Sequence, residues 1–140
     1  MRLVIDTDVL VAAARSPGGA SAALLVLILK RGAAVVLSVA LALEYEATAT
    51  RPEHLLAAKA SRDDVVNLIN AIIDVAEPVE VHYQWRPQLS DAGDEMVLEA
   101  AVNGRADAIV TFNRRHFGHA AARFGLIGLS PAETLRRLRP

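Results

Sequence analysis

Short apolar segments alternate with longer helical patterns along this chain, and this alternation constrains the fold more than any other feature. Because helices separate the apolar segments, the pattern predicts an α/β protein with a parallel sheet covered on both faces. A loop that contains Trp85 and Pro87 is expected over residues 83–90. The predicted strands are residues 3–5, 34–37, 79–81, 108–111 and 126–129.

The first predicted strand runs directly into acid, because residues 3–5 are apolar and Asp6 follows at once. In open α/β sheets, binding sites form beyond the carboxyl ends of the strands. Asp6 is therefore a candidate metal ligand; the alternative is an Asp that caps the turn, and the strand-end position favours the ligand. Thr111 and Asn113 follow the fourth strand in the same way. Asn113 can bond a phosphate or position a water, and Asn is also common in turns.

Two glutamates lie on the helix that Ser38 is expected to cap after the second strand. Glu44 and Glu46 have similar neighbours one helical turn away, so periodicity does not choose between them. The alternative to a metal ligand is a glutamate on a solvated helix face. On the pattern alone, the solvated face is the better interpretation for each of the two residues.

A further pair of acids opens the helix that follows the loop. Asp91 and Asp94 have near capping-box spacing, which predicts an N-cap at Asp91 and favours negative charge at the helix start. Capping does not exclude metal binding, because a carboxylate has two oxygens. Glu95 and Glu99 follow on the same helix and are expected to be solvated.

Composition excludes several kinds of site. The chain has 140 residues, 53% of them hydrophobic, which suits one compact domain over residues 1–140. It contains no cysteine, which excludes disulfides, thiolate zinc sites and a cysteine nucleophile. The longest apolar run, residues 22–29, is shorter than the about 20 residues of a membrane-spanning helix. No signal-peptide pattern opens the chain, so we expect a soluble cytoplasmic protein.

Without cysteine, a metal site in this chain can still be built from oxygen ligands. Hard cations such as Mg²⁺ and Mn²⁺ bind a few carboxylates and complete their shells with water and substrate phosphate. Arg114 and Arg115 lie beside Asn113, where they could hold a phosphate backbone or simply be surface residues. The four histidines show no metal-ligand spacing on a shared helix and are interpreted as surface or packing residues.

These residues, in this order, resemble the PIN-domain ribonucleases, most closely the PIN toxin-like branch of bacterial type II toxin–antitoxin systems. The resemblance covers nearly the whole chain. Four stretches carry the resemblance. The first two are weak signals individually, whereas the last two are specific because of their separation and because they follow the first. The stretches are Val4-Ile5-Asp6-Thr7-Asp8-Val9-Leu10, residues 37–46 with Leu43-Glu44-Tyr45-Glu46, residues 85–101 with Ser90-Asp91-Ala92-Gly93-Asp94, and residues 106–117 with Val110-Thr111-Phe112-Asn113.

The resemblance implies a three-layer α/β/α PIN-like fold with a central parallel sheet of four or five strands. It also implies cleavage of RNA that depends on Mg²⁺ or Mn²⁺ at an acidic cluster. Carried over by position, the metal ligands are Asp6, Glu44 and Asp94, so the resemblance selects Glu44 over Glu46. Asp91 and Asn113 would support the water or a second ion, and Thr7 would contact the ion shell or a phosphate.

The implied partners are an RNA substrate, a small antitoxin protein and a second copy of the chain in a homodimer. Two departures from the family pattern bear on the metal. Many relatives have a further acid where this chain has Gly93, and many have an Asp where it has Asn113. Three acids can hold one ion, so occupancy of a second metal position stays open.

Two rival functions remain at this stage. The strand followed by Asp6 also resembles the opening of haloacid-dehalogenase-type phosphatases, whose chemistry needs a lysine after a later strand. The two lysines, Lys30 and Lys59, both fall on predicted helices. The second rival is a PIN-fold module that binds RNA or a protein partner and cuts weakly or not at all, which Gly93 and Asn113 would allow.

Overall fold

Five short strands form one sheet in the computed structural model, which describes residues 1–82, 89 and 91–139. They are β1 (Arg2–Ile5), β2 (Ala34–Leu37), β3 (Glu77–Pro78), β4 (Ala108–Val110) and β5 (Ile127–Leu129). Every neighbouring pair is parallel, and the spatial order is β3-β2-β1-β4-β5. The predicted α/β architecture with a parallel sheet of four or five strands is therefore confirmed.

The third strand lies earlier than the sequence predicts, at Glu77–Pro78 instead of 79–81. Its register pairs Val36 with Glu77 and Leu37 with Pro78. The strand is at the edge of the sheet, where a proline is tolerated because its missing N–H can face outward. The loop predicted over residues 83–90 lies outside the described residues, apart from Leu89.

Eight helices flank the sheet in the described part of the chain. Serine side chains cap three of them, since Ser38, Ser61 and Ser130 each accept a backbone N–H from the first turn. No single described helix is long and apolar enough to cross a membrane; only the first two together, bent by 106°, reach that length and composition. The helices are α1 (Thr7–Arg15), α2 (Ala20–Leu29), α3 (Val39–Ala49), α4 (Pro52–Ala58), α5 (Arg62–Val75), α6 (Ala92–Asn103), α7 (Arg114–Arg123) and α8 (Pro131–Leu138).

Strand β1 occupies the centre of the sheet and is buried along residues 3–5. A strand covered on both faces must be apolar throughout, which explains its continuous apolar sequence. Tyr45 of α3 is also fully buried, and its hydroxyl donates a hydrogen bond to the backbone oxygen of Ile5 at 2.5 Å. This contact ties α3 to the carboxyl end of β1 and so holds Glu44, the residue before Tyr45, at that end of the sheet.

Candidate functional site

The carboxyl end of β1 is the point at which the strand order reverses. From β1 the chain passes to β2 on one side and later to β4 on the other. Ligand sites of open α/β sheets form at such a switch point. Asp6 follows β1 and Thr111 follows β4, and the Asp6 N–H donates to the Val110 oxygen at 2.9 Å. The structure thus places both strand-end residues side by side, as their positions in the sequence predict.

Asp6 is almost fully buried, with 6% of its surface exposed. Burial raises the pKa of its carboxyl, because a charge is poorly solvated there. The Thr111 hydroxyl donates to Asp6 Oδ2 at 2.7 Å, and the Thr7 N–H also bonds the carboxylate. These donors oppose the effect of burial and hold the charged form in place. Thr7 is itself buried, so it contacts Asp6 through its backbone.

Asp8 joins the cluster, although the sequence analysis did not select it. Its Oδ2 accepts from the Asn113 side-chain amide at 2.8 Å and from the Phe112 N–H at 3.1 Å. Its Oδ1 is buried and has no hydrogen-bond partner among the described residues. Burial and the neighbouring charge of Asp6 raise the pKa of Asp8 to about 6. The sequence feature that could have identified Asp8 is its position two residues after Asp6, in the first turn of α1.

The predicted cap of α6 is present. Asp91 is the N-cap, and its Oδ1 accepts from the N–H groups of Gly93 at 2.8 Å and Asp94 at 3.1 Å. Asp94 faces the site: burial, then the charges of Asp6 and Asp91, raise its pKa to about 6. Capping uses one oxygen of Asp91, so the carboxylate can still take part in a site.

His116 of α7 lies against this corner, with its Nδ1 3.2 Å from Asp94 Oδ2. Its positive charge lowers the pKa of both Asp94 and Asp6, against the larger effect of burial. The interpretation of His116 as a surface or packing residue missed this contact. Its exposed side chain does lie at the surface, but it also supplies a cationic partner to the carboxylates when protonated.

The structure separates Glu44 from Glu46, which periodicity could not do. Glu46 forms an ion pair with Arg62 of α5 at 2.9 Å, on an exposed face. Glu44 lies beside the start of α6, since a methyl group at Gly93 would come within 3.2 Å of its Oε1. The Thr48 hydroxyl holds that same oxygen at 2.9 Å. Of the two, Glu44 therefore lies near the other acids, as the family resemblance implies.

The remaining polar residues near this edge have different roles. The amide of Asn113 bonds Asp8, and its N–H donates to Thr111 Oγ1 at 2.9 Å. Arg114 and Arg115 are both exposed, and Arg114 lies 3.4 Å from Glu133. Asn113 thus positions Asp8, and Arg114 has an acidic partner on α8.

The expectation that Glu95 and Glu99 are solvated is wrong, because each is only 5% exposed. Both lie on the inner side of α6, which packs across β1 and β4. Glu95 Oε1 accepts the N–H of Leu89 at 2.6 Å. A buried carboxylate needs such hydrogen bonds, and this one ties Leu89 to α6.

The donor chemistry of the cluster fits a hard divalent cation. It consists of carboxylate oxygens, and the charge of Asp6 raises the pKa of both Asp8 and Asp94. A cation would remove this repulsion and give the buried Asp8 Oδ1 a partner. As it stands, no group of three or more His, Asp or Glu side chains within residues 1–82, 89 and 91–139 is arranged to hold a metal ion.

The geometry does not support the phosphatase alternative. Lys30 and Lys59 are the two lysines of the chain, and they are the C-cap residues of α2 and α4. Neither follows a strand, so neither lies where phosphatase chemistry requires a lysine.

A family model described as PIN domain matches residues 2–115, which include every acid of the cluster. The match covers most of the chain, and the chain belongs to the PIN-domain family. Members of this family are nucleases in general, so the fold and the acidic cluster define a nuclease domain. No curated protein and no solved structure matches the chain.

Proposed function

We propose that this protein is an endoribonuclease that hydrolyses RNA phosphodiesters with Mg²⁺ or Mn²⁺. The observation that carries the proposal is the convergence of Asp6, Asp8 and Asp94 at the switch point of the sheet. Burial and the charge of Asp6 raise the pKa of Asp8 and of Asp94, and perturbed pKa values of this kind are typical of functional sites. Glu44 lies beside the same corner and completes the set of acids.

Asp6, Glu44 and Asp94 would hold the ion, with Asp91 as a further oxygen ligand. When bound, such an ion supplies an activated water and neutralises charge that develops on the phosphodiester. The residues of the chain prepare this site. Thr111 orients Asp6 by its hydrogen bond, and Asn113 orients Asp8. The start of α6 adds the positive end of a helix dipole, which favours the anionic groups around it.

The first test is cleavage of a mixed single-stranded RNA by purified protein in EDTA, Mg²⁺ or Mn²⁺. We expect cleavage only with metal, and its loss in the Asp6→Asn/Asp94→Asn double variant. Asp74→Asn is the matched control, because Asp74 is an exposed acid on α5. Cleavage by the double variant at the rate of the parent would refute the carboxylate site.

A sharper pair of variants lies on one helix. Glu44→Gln removes the charge beside α6, whereas Glu46→Gln removes a charge paired with Arg62. We expect a loss of about tenfold or more for Glu44→Gln and little change for Glu46→Gln, because loss of a single electrostatic group in an active site commonly has an effect of this size. A larger loss for Glu46→Gln than for Glu44→Gln would show that the resemblance selects the wrong glutamate, and equal losses would show that it does not distinguish them.

A binding module that does not cut is the second candidate. Two observations favour it: no described group is already arranged for a metal, and Asn113 is engaged with Asp8. Tight RNA binding without cleavage in any divalent metal would establish this function instead. The cleavage and binding measurements together separate the two.

We further propose, from the family resemblance, a cytoplasmic toxin with a small antitoxin partner, acting as a homodimer. Exposed apolar side chains on one face of α3, Val39 and Leu43, support contact with another chain, since they are 77% and 62% exposed one turn apart. Light scattering of the parent and of Val39→Glu/Leu43→Glu tests the homodimer. A parent that is monomeric at all concentrations would contradict it.

Growth arrest on expression tests the toxin role.

A further inference from the structure

A cavity of about 610 Å³ opens beside the carboxylate cluster and extends away from it. Helix α1 forms one wall, and residues of α3 and α4 form the other. Val11 and Ala12 supply an apolar surface, and Arg15, Thr48 and His54 supply polar groups. A volume of this size is in the range of sites that bind small ligands, and the mixed lining is also typical of them.

The cavity is continuous with the acidic cluster. Thr7 and Asp8 line it, and Asp8 is the acid whose Oδ1 lacks a partner. On the other wall, Thr48 donates its hydroxyl to Glu44 at 2.9 Å. A nucleic-acid strand with one phosphate at the cluster therefore has this cavity next to it.

The polar groups of the cavity have the chemistry to recognise a nucleotide. Arg15 is exposed at the end of α1 and makes no ion pair within the described chain, so its guanidinium is available to a phosphate. His54 is half-buried, and its Nδ1 is enclosed with no partner among the described residues. A buried ring nitrogen without a partner is free to form a hydrogen bond with a ligand that enters the cavity. An imidazole nitrogen can form such a bond at a base edge.

Resting on the ribonuclease function proposed above, we propose that this cavity binds one nucleotide of single-stranded RNA next to the phosphodiester that is cut. The apolar wall contacts the base, Arg15 binds the flanking phosphate, and His54 selects the base. His54 is then a specificity-determining residue that lies outside the acidic cluster. A single-stranded RNA fits better than a protein segment, because a cationic side chain and base-sized apolar wall adjoin the proposed cleavage site.

The test measures binding and base preference separately. Binding of a labelled single-stranded RNA is measured by fluorescence anisotropy in EDTA, for Arg15→Ala and His54→Gln. The matched controls are Arg137→Ala, an exposed arginine of α8, and His82→Ala, near the opposite edge of the sheet. We expect binding to weaken about tenfold in Arg15→Ala, the loss typical of one charge-assisted hydrogen bond, and little in the controls.

Base preference is read by sequencing the ends that the protein makes from a randomised RNA pool. His54→Gln should change the preferred base at one position beside the cut. Urea unfolding of each variant separates a folding defect from a binding defect. Weaker binding of RNA by Arg15→Ala supports the cavity even if the parent cuts no RNA.

Two outcomes would overturn the inference. In the first, metal-dependent cleavage is lost in Asp6→Asn/Asp94→Asn, but neither cavity variant changes RNA binding or base preference. The ribonuclease function then stands and the nucleotide site does not. In the second, the parent binds no single-stranded RNA in EDTA or with metal, which leaves the cavity without its proposed occupant.

Discussion

Replacing Asp8 by Asn should stabilise the protein in the absence of metal, although it removes a residue from the site. Asp8 accepts a hydrogen bond from the Asn113 amide and lies beside the buried Asp6; burial and then the charge of Asp6 raise its pKa. An Asn at this position keeps an acceptor for Asn113 and can donate its amide N–H to Asp6. The substitution removes one of two neighbouring negative charges while it preserves the local contacts.

The magnitude follows from the raised pKa. A rise from 3.8 to about 6 corresponds to about 3 kcal/mol of lost stability when Asp8 ionises in the folded protein. Asp8 is partly exposed, and water screens part of this effect, so we expect about 1–2 kcal/mol.

The sign of the pH dependence depends on whether the folded or the unfolded protein keeps the proton of Asp8 to a higher pH. Below the unfolded pKa of 3.8, the Asp8 carboxyl is protonated in both the folded and the unfolded protein. The ionisation of Asp8 then makes little difference between the free energies of unfolding of the parent and the variant. As the pH rises to about 6, the unfolded chain loses the proton first, so the parent loses stability and the variant does not. Above that range the difference is at its largest.

Urea unfolding in EDTA, followed by circular dichroism at about pH 4 and about pH 7.5, measures this difference. Asp74→Asn is the control, because an exposed carboxylate should give a small difference that does not change with pH. An Asp8→Asn variant that is no more stable than the parent at the higher pH would refute the argument. So would a stability difference of equal size at both pH values.

Three further predictions concern the same cluster. Mn²⁺ should raise the melting temperature of the parent and of Asp74→Asn near neutral pH, but not that of Asp6→Asn/Asp94→Asn, because the carboxylates then lack the charge to bind it. His116→Ala should raise the pKa of Asp94 by removing a positive neighbour, so the acid limb of the pH–activity profile should move to higher pH; an unchanged profile would contradict this role of His116. Thr111→Val should destabilise the protein by about 1–3 kcal/mol, because Asp6 and the Asn113 N–H both lose a buried partner, and equal unfolding midpoints would contradict this.

Much of the fold follows from local sequence signals. Strand β2 and helix α3 begin and end where the pattern predicts, because apolar runs and a serine N-cap are read within a few residues. The capping of α6 by Asp91 is predicted for the same reason. The third strand was misplaced because Pro78 is acceptable only at a sheet edge, and the edge is defined by which strands pair.

The candidate site is predicted in part. The strand-end position of Asp6 and the capping positions of Asp91 and Asp94 are local features, so the sequence identifies them as candidates. The choice of Glu44 over Glu46 comes from the family resemblance, and the structure places Glu44 beside the start of α6 and pairs Glu46 with Arg62. Glu95 was assigned to solvent because a single glutamate gives no local sign that it will be buried.

By itself, the sequence determined the parallel α/β architecture and the acids at the carboxyl end of the first strand, since periodicity and strand ends are local properties of the chain. Only the tertiary structure decided that Asp8 joins Asp6, that His116 lies against Asp94, and that the cavity lined by Arg15 and His54 adjoins them. These contacts join residues that are far apart along the chain. They form because β1 pairs with β4 and α1 packs beside α3 and α4, and no local pattern encodes those pairings.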